Sequence, residues 1–243
     1  MNEIKQFYSI NFDKIRRKKK KIKFLVFHYT GMKSEKLAIK KLKNENSKVS
    51  CHYFIKKNGI ILNMVPDSYI SWHAGISNWK KQNKINKYSI GVEIQNPGHS
   101  NGYIPYNEKQ ISAIKFLSKK LAKKFNICKK NFLGHSDISP NRKKDPGEKF
   151  PWEKLSKYKI GLWHSLDIKK LEKMRLKKID DTQKNRFFNR LRKIGYFFKK
   201  NDFKELILTT KAFQRRFRPQ IINGKIDLEC SEIAKNLVKT GFN

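Results

Sequence analysis

Three side chains in this sequence have the chemistry of a catalytic metal centre. His28 lies near the end of the apolar run IKFLVFHYT, His135 lies in GHSDISP, and Asp145 follows in KKDPG. Two imidazoles and one carboxylate form a donor set that suits zinc, and they leave a fourth position open for water. Water bound there has its pKa lowered to about 7, so hydroxide becomes available at neutral pH. Spacing alone does not bring the three together. A lone histidine is more often a surface residue or a satisfied core residue than a ligand. His99 and His164 stand in no motif and read as surface residues, and His52 in CHYF reads as structural.

The elements that would position these residues can be read from hydrophobic periodicity. Residues 22–30 form a β-rich run that predicts a buried strand. Ser34 to Asn44 has helical spacing, with Ser34 as N-cap and Leu37 and Leu42 on the apolar side. The runs 52–57 and 60–65 flank Asn58-Gly59, a strong hairpin signal. Residues 89–95, SIGVEIQ, predict another strand. An amphipathic helix follows from about Asn107 to Phe125, on Ile111, Ile114, Leu117, Leu121 and Phe125. A short strand at 131–133 precedes a long polar loop, 134–150, a usual place for site residues. Strands and helices mixed in this order indicate an α/β fold.

Five segments then carry a resemblance. FHYTG, VSCHYFI, WHAG, IGVEIQNPG and GHSDISPNRKKDPGEKFPW occur in this order. Together they resemble the type 2 N-acetylmuramoyl-L-alanine amidases, relatives of the peptidoglycan recognition proteins, over roughly residues 22–160. The resemblance implies a mixed central β-sheet flanked by helices and one Zn2+ held by His28, His135 and Asp145. It makes Glu93 the acidic residue that assists the zinc-bound water and Lys143 the lysine that stabilises the oxyanion, with Lys144 as the alternative register. It implies hydrolysis of the amide between N-acetylmuramic acid and L-alanine in peptidoglycan or muropeptides. His73 and Trp72 of WHAG are candidate substrate-binding residues, and Trp79, Tyr103 and Trp152 are further aromatics that a sugar groove could use. A non-catalytic recognition protein of the same fold is the alternative, but all three ligands, the glutamate and the lysine are present.

Further along, KAFQRRFRPQIINGKIDLECSEI is similar to the small helical peptidoglycan-binding domains attached to wall hydrolases, on Phe213, Gln214, Phe217, Pro219, Gly224 and Asp227. The expected organisation is an irregular lead-in at 1–21, the amidase domain at 22–163, a helical connector at 164–185 and a helical unit at 186–243. In that unit Phe187, Leu191, Ile194 and Phe198 form one apolar stripe, Asp202 caps a helix, and Ser231 caps the last one.

The 57 Lys and Arg against 20 Asp and Glu leave a net charge of +37, spread through all segments. Such a surface attracts polyanions, but no recognised nucleic-acid motif accompanies it, so no specific nucleic-acid partner is expected. Three widely spaced cysteines imply neither a disulfide framework nor a metal motif. No apolar run reaches the ~18–20 residues of a membrane span. The chain is taken as a monomer. Residues 1–24 lack the order of a signal peptide, which points to the cytoplasm. The wall-binding-like C-terminal segment points to the periplasm or envelope, and the reading leans that way.

Overall fold

The structure is a computed structural model that describes residues 3–199 and 201–241. Its first strands are β1 (Ile4–Gln6), β2 (Phe12–Asp13) and β3 (Phe24–Tyr29), followed by α1 (Glu35–Lys43). Next come the hairpin β4 (Tyr53–Ile55) and β5 (Ile61–Asn63), then β6 (Ile70–Ser71), β7 (Asn78–Trp79), β8 (Gln82–Asn83) and β9 (Ser89–Ile94). Helix α2 (Glu108–Phe125) leads to β10 (Phe132–Gly134), the single turn α3 (His135–Ile138) and α4 (Trp152–Ser156). The chain closes with α5 (Ile168–Met174), α6 (Asp181–Ile194), α7 (Phe203–Phe217) and α8 (Leu228–Gly241).

Six strands form one mixed sheet in the order β1-β5-β4-β9-β3-β10. Neighbours are parallel except at the β4/β5 hairpin. Side chains alternate between its faces. Leu25 and Phe27 pack with Ile90, Val92 and Ile94 against Ile114, Leu117 and Leu121 of α2. Full burial of each such aliphatic side chain contributes ~1.5–3 kcal/mol. A capping box of Asn107 and Gln110 starts α2, and Asn126 in the left-handed conformation ends it.

Phe24, Val26 and Leu133 point to the other face and share one apolar cluster with Phe187, Phe213, Phe217 and Leu237. The C-terminal helices are therefore docked on the sheet itself. On the same face α1 covers the hairpin, with Ala38 and Leu42 over Phe54, Leu62 and Met64. Between these two covered regions the face is left for His28 and Glu93, which are register partners on β3 and β9.

Several expectations change. The lead-in is not irregular: β1 extends the sheet edge beside β5, and β2 pairs with β6. Strands this short carry no periodicity to read. The lead-in is also pinned by buried polar groups. Asn11 Nδ2 donates to the carbonyls of Asn44 and Val49, and Arg17 Nη1 donates to those of Asn86 and Ser89. Leu37 is exposed, and Ala38 takes its place beside Leu42 on the buried side of α1. The cap of α8 is Asp227, whose Oδ1 accepts from Cys230 N, so Ser231 lies inside the helix. The polar loop after β10 begins with a buried helical turn. The connector holds α5 and the start of α6.

Candidate active site

Two of the predicted ligands, His28 and His135, sit at the carboxyl ends of parallel strands, where open α/β sheets hold their sites. His28 is the fifth residue of β3, and His135 opens α3 directly after β10. Asp145 is brought to His135 by two local devices. Its carbonyl accepts from Ser136 N at 2.8 Å. Gly134 leaves room for the next proline, since a Cβ there would meet Pro146 Cδ at 2.6 Å. Tyr103 and Tyr106 then hold the Pro146 carbonyl at 2.7 and 2.8 Å. Residues ten apart in a loop are thus fixed side by side.

The donor atoms converge closely. His28 Nδ1 lies 2.9 Å from His135 Nδ1 and 3.0 Å from Asp145 Oδ2, and His135 Nδ1 is 3.0 Å from the same oxygen. His135 Nε2 is 3.0 Å from the Ala74 carbonyl, which can only accept, so the proton sits on Nε2 and Nδ1 presents a lone pair. Burial, and then the neighbouring His135, push His28 down to about 4, so it is neutral at pH 7. Burial alone would raise the Asp145 carboxyl, but the His135 and His28 imidazoles outweigh it and hold Asp145 well below the usual carboxylate range. Two imidazole nitrogens and a carboxylate oxygen facing one point are the donor types a metal requires. The three residues can hold a metal ion.

A cavity of about 270 Å³ opens beside this cluster. Its walls include Tyr29, Lys41 and Leu42 of α1, Trp72, Glu93 and Lys143. Glu93 Oε2 is buried without a hydrogen-bond partner among the described residues. Burial and then the Asp145 charge raise its pKa well above the ordinary value, against the pull of Lys143 and Lys41. Lys143 is half-buried on the cavity, whereas Lys144 is exposed, which favours the predicted register. Trp72 lies on the wall, with Nε1 donating to Asp13 Oδ1 at 2.7 Å.

His73 lines the cavity, as its motif suggested, but its ring nitrogens are turned to the protein's own groups. Its ring is buried, and its nitrogens lie 3.0 Å from His28 Nε2 and 3.0 Å from Ser89 Oγ. Neither is left for substrate. Trp79 and Trp152 are core residues, and Tyr103 supports Pro146. His52 is structural, with Nδ1 accepting from Gly91 N.

Sequence reasoning missed the partners of two supporting residues. His99 is not a plain surface residue: it bridges Tyr29 Oη at 2.8 Å to Glu148 Oε2 at 3.0 Å and so braces the cavity wall. Asp137, two residues beyond His135, is buried in an ion pair with Arg216 of α7. It also accepts from Tyr196 Oη at 2.7 Å and from Gly134 N at 2.7 Å. In the C-terminal helices, the residues of the AFQ…F…G…D pattern hold the unit together. Gln214 grips the turn at 223–225, Asp227 caps α8, and Phe213 and Phe217 are core.

Comparison with known proteins agrees with this geometry. A family profile described as N-acetylmuramoyl-L-alanine amidase matches residues 18–148, a span that contains His28, His135 and Asp145. The N-acetylmuramoyl-L-alanine amidase AmiD of Escherichia coli K12 is 32% identical over 234 residues, covering 90% of this chain and 83% of AmiD. The structure of E. coli AmiD in complex with anhydro-N-acetylmuramic acid-L-Ala-D-gamma-Glu-L-Lys superposes with a TM-score of 0.79, covering 92% of this chain and 91% of that one. AMPDH3 of Pseudomonas aeruginosa, in complex with anhydromuramic pentapeptide, gives a TM-score of 0.80 at 28% identity, covering 96% of this chain and 98% of that one. With the matched span enclosing the converged His28, His135 and Asp145 and the similarity running through the C-terminal helices, the chain belongs to the N-acetylmuramoyl-L-alanine amidase family.

Proposed function

We propose that the protein is a zinc-dependent hydrolase that cuts the amide between the lactyl group of N-acetylmuramic acid and L-alanine, in peptidoglycan or in muropeptides. The observation that carries this reading is the triangle of His28 Nδ1, His135 Nδ1 and Asp145 Oδ2, with sides of 2.9 to 3.0 Å. Three electron-pair donors held this close repel one another unless a cation lies among them. Two imidazoles and a carboxylate suit zinc with one position open. Anhydromuramyl peptides, the class bound in the AmiD and AMPDH3 complexes, are the substrates to test first.

Bound zinc supplies a Lewis acid and acidifies a coordinated water. The chain's own groups do the rest. Glu93 Oε2, with no partner of its own, takes a proton from the attacking water and delivers it to the alanine nitrogen as the C–N bond breaks. The water oxygen ends in the lactyl carboxylate, and the stem peptide leaves as an amine. The Lys143 ammonium faces the same cavity and balances the charge that develops on the carbonyl oxygen. Trp72, Leu42 and Val49 line the walls against which a sugar-peptide can lie.

Two predictions test these assignments. Glu93→Gln keeps stoichiometric zinc but loses ~10²–10⁴-fold in kcat, the usual scale for a general acid–base group. It also loses the acid limb of the pH profile of kcat/KM, because that limb reports Glu93 losing its proton. Normal turnover in the zinc-loaded variant removes Glu93 from the mechanism. Lys143→Ala lowers kcat by ~10²–10³-fold, as loss of an oxyanion partner does, while Lys144→Ala stays near wild type. The reverse pattern would show that Lys144 carries the role.

A further inference from the structure

A relay of buried groups runs away from the metal site on the side opposite the ligands. His28 Nε2 lies 3.0 Å from His73 Nδ1, His73 Nε2 lies 3.0 Å from Ser89 Oγ, and Ser89 Oγ lies 2.7 Å from the Ile85 carbonyl. His28, His73, Ser89 and Ile85 are all buried. The His73 ring lies flat on β9 because residue 91 is glycine. A Cβ at Gly91 would stand 2.3 Å from His73 Cγ and 2.7 Å from Nδ1. Gly91 is the register partner of Val26, one step along the same face from the His28–Glu93 pair. The notch in the strand thus sets the ring height with the ring next to His28.

We propose that His73 is a positioning residue that fixes the tautomer of His28, and that the Ile85 carbonyl sets the direction of the whole relay. A carbonyl can only accept, so Ser89 gives its single proton to Ile85 and presents a lone pair to His73. His73 therefore carries its proton on Nε2 and offers Nδ1 as an acceptor. His28 in turn carries its proton on Nε2, and its Nδ1 lone pair is aimed at the ligand triangle. The opposite direction would leave the Ser89 Oγ and Ile85 carbonyl oxygens 2.7 Å apart with no proton between them, two acceptors in repulsion. It would also put a proton on His28 Nδ1, the atom that has to bind the metal. The Ala74 carbonyl does the same for His135 through Nε2. Both ligand tautomers are thus set by backbone acceptors before any metal arrives. The second part of the proposal, the effect on metal affinity, rests on the zinc reading of the site.

The test joins two readouts. The first is long-range proton–nitrogen correlation NMR on metal-free protein labelled at histidine nitrogens. The expected result is His28 and His73 as Nε2–H tautomers in the wild type and a mixed His28 tautomer in His73→Phe. The second is zinc affinity by chelator competition. His73→Phe should weaken zinc ~10–100-fold, the usual cost of losing a partner of a ligating histidine. Ser89→Ala should weaken it less but measurably. His73→Asn keeps an acceptor near the position of Nδ1 and should recover most of the affinity, a rescue that a space-filling role would not give. Circular dichroism of each variant establishes that it is folded. An Nδ1–H tautomer of His28 in the metal-free wild type overturns the proposal, as does unchanged zinc affinity in folded His73→Phe. A wild-type protein that takes up no zinc overturns the affinity part together with the hydrolase reading. The tautomer part is still decided, because it is read without metal.

Discussion

His135→Ala loses its zinc and its amidase turnover together, with turnover down by ~10³-fold or more. A bound Lewis acid supplies several kcal/mol of charge stabilisation, and each ~1.4 kcal/mol is a factor of ten in rate. His135 supplies one of three donors, and its Nδ1 stands within 2.9 and 3.0 Å of the other two. Removing it leaves His28 and Asp145, too few to hold the ion against a chelator. The fold should survive, because the His135 side chain lines the cavity and its backbone hydrogen bond goes to a single carbonyl, that of Ala74. Metal analysis and turnover measured on the same sample check this. A zinc-replete His135→Ala protein, or one that keeps its activity without zinc, would contradict the ligand assignment.

Breaking the Asp137–Arg216 pair has the largest expected effect on stability. Both side chains are buried, with 1% and 4% exposure. Arg216 Nη2 also donates to the Phe132 carbonyl at 2.9 Å, and its guanidinium lies 4.1 Å from the Trp152 ring centroid. Asp137→Ala strands a buried guanidinium, and Arg216→Ala strands a buried carboxylate. Each should destabilise the protein by ~3–5 kcal/mol, because a lone buried charge costs more than the pair contributes. The double variant should be less destabilised than the sum of the two, which a denaturant-melt cycle measures. Because Asp137 also holds Gly134 N, the single variants should loosen the turn that carries His135 and weaken zinc binding as well. Additive losses with unchanged zinc affinity would show that α7 is merely packed nearby.

The legible parts of this molecule were those written in local pattern. The buried run ending at His28, the Asn-Gly hairpin, the capped α1 and the amphipathic α2 each follow from periodicity or turn chemistry within one window of sequence. Glu93, His135, Lys143 and Asp145, which line one cavity, were named because five ordered segments carried the family resemblance. What escaped notice were contacts between distant residues. Nothing in the run RRFRP announces that Arg216 meets Asp137, 79 positions earlier, or that α7 lies on the sheet. The strands of the lead-in are two and three residues long, too short for alternation to register. His73 was placed among substrate-binding groups because its tetrapeptide suggested a pocket wall. It does line that wall, but the partners of its ring nitrogens, His28 and Ser89, are 45 and 16 residues away. The one cue available was Gly91 in the middle of a strand, where glycine often marks the close approach of another group.

Under the proposed function, one zinc ion shared by His28, His135 and Asp145 drives scission of the N-acetylmuramoyl–L-alanine amide. Mass spectrometry of a muropeptide digest tests it most directly, using protein stripped by chelator and the same protein reloaded with zinc. The expected products are a stem peptide with a free alanine amine and a muramyl sugar with a free lactyl carboxylate, absent after stripping and restored at one zinc per chain. Intact muropeptide after full zinc loading, cleavage at another bond, or release that ignores the chelator would contradict the account.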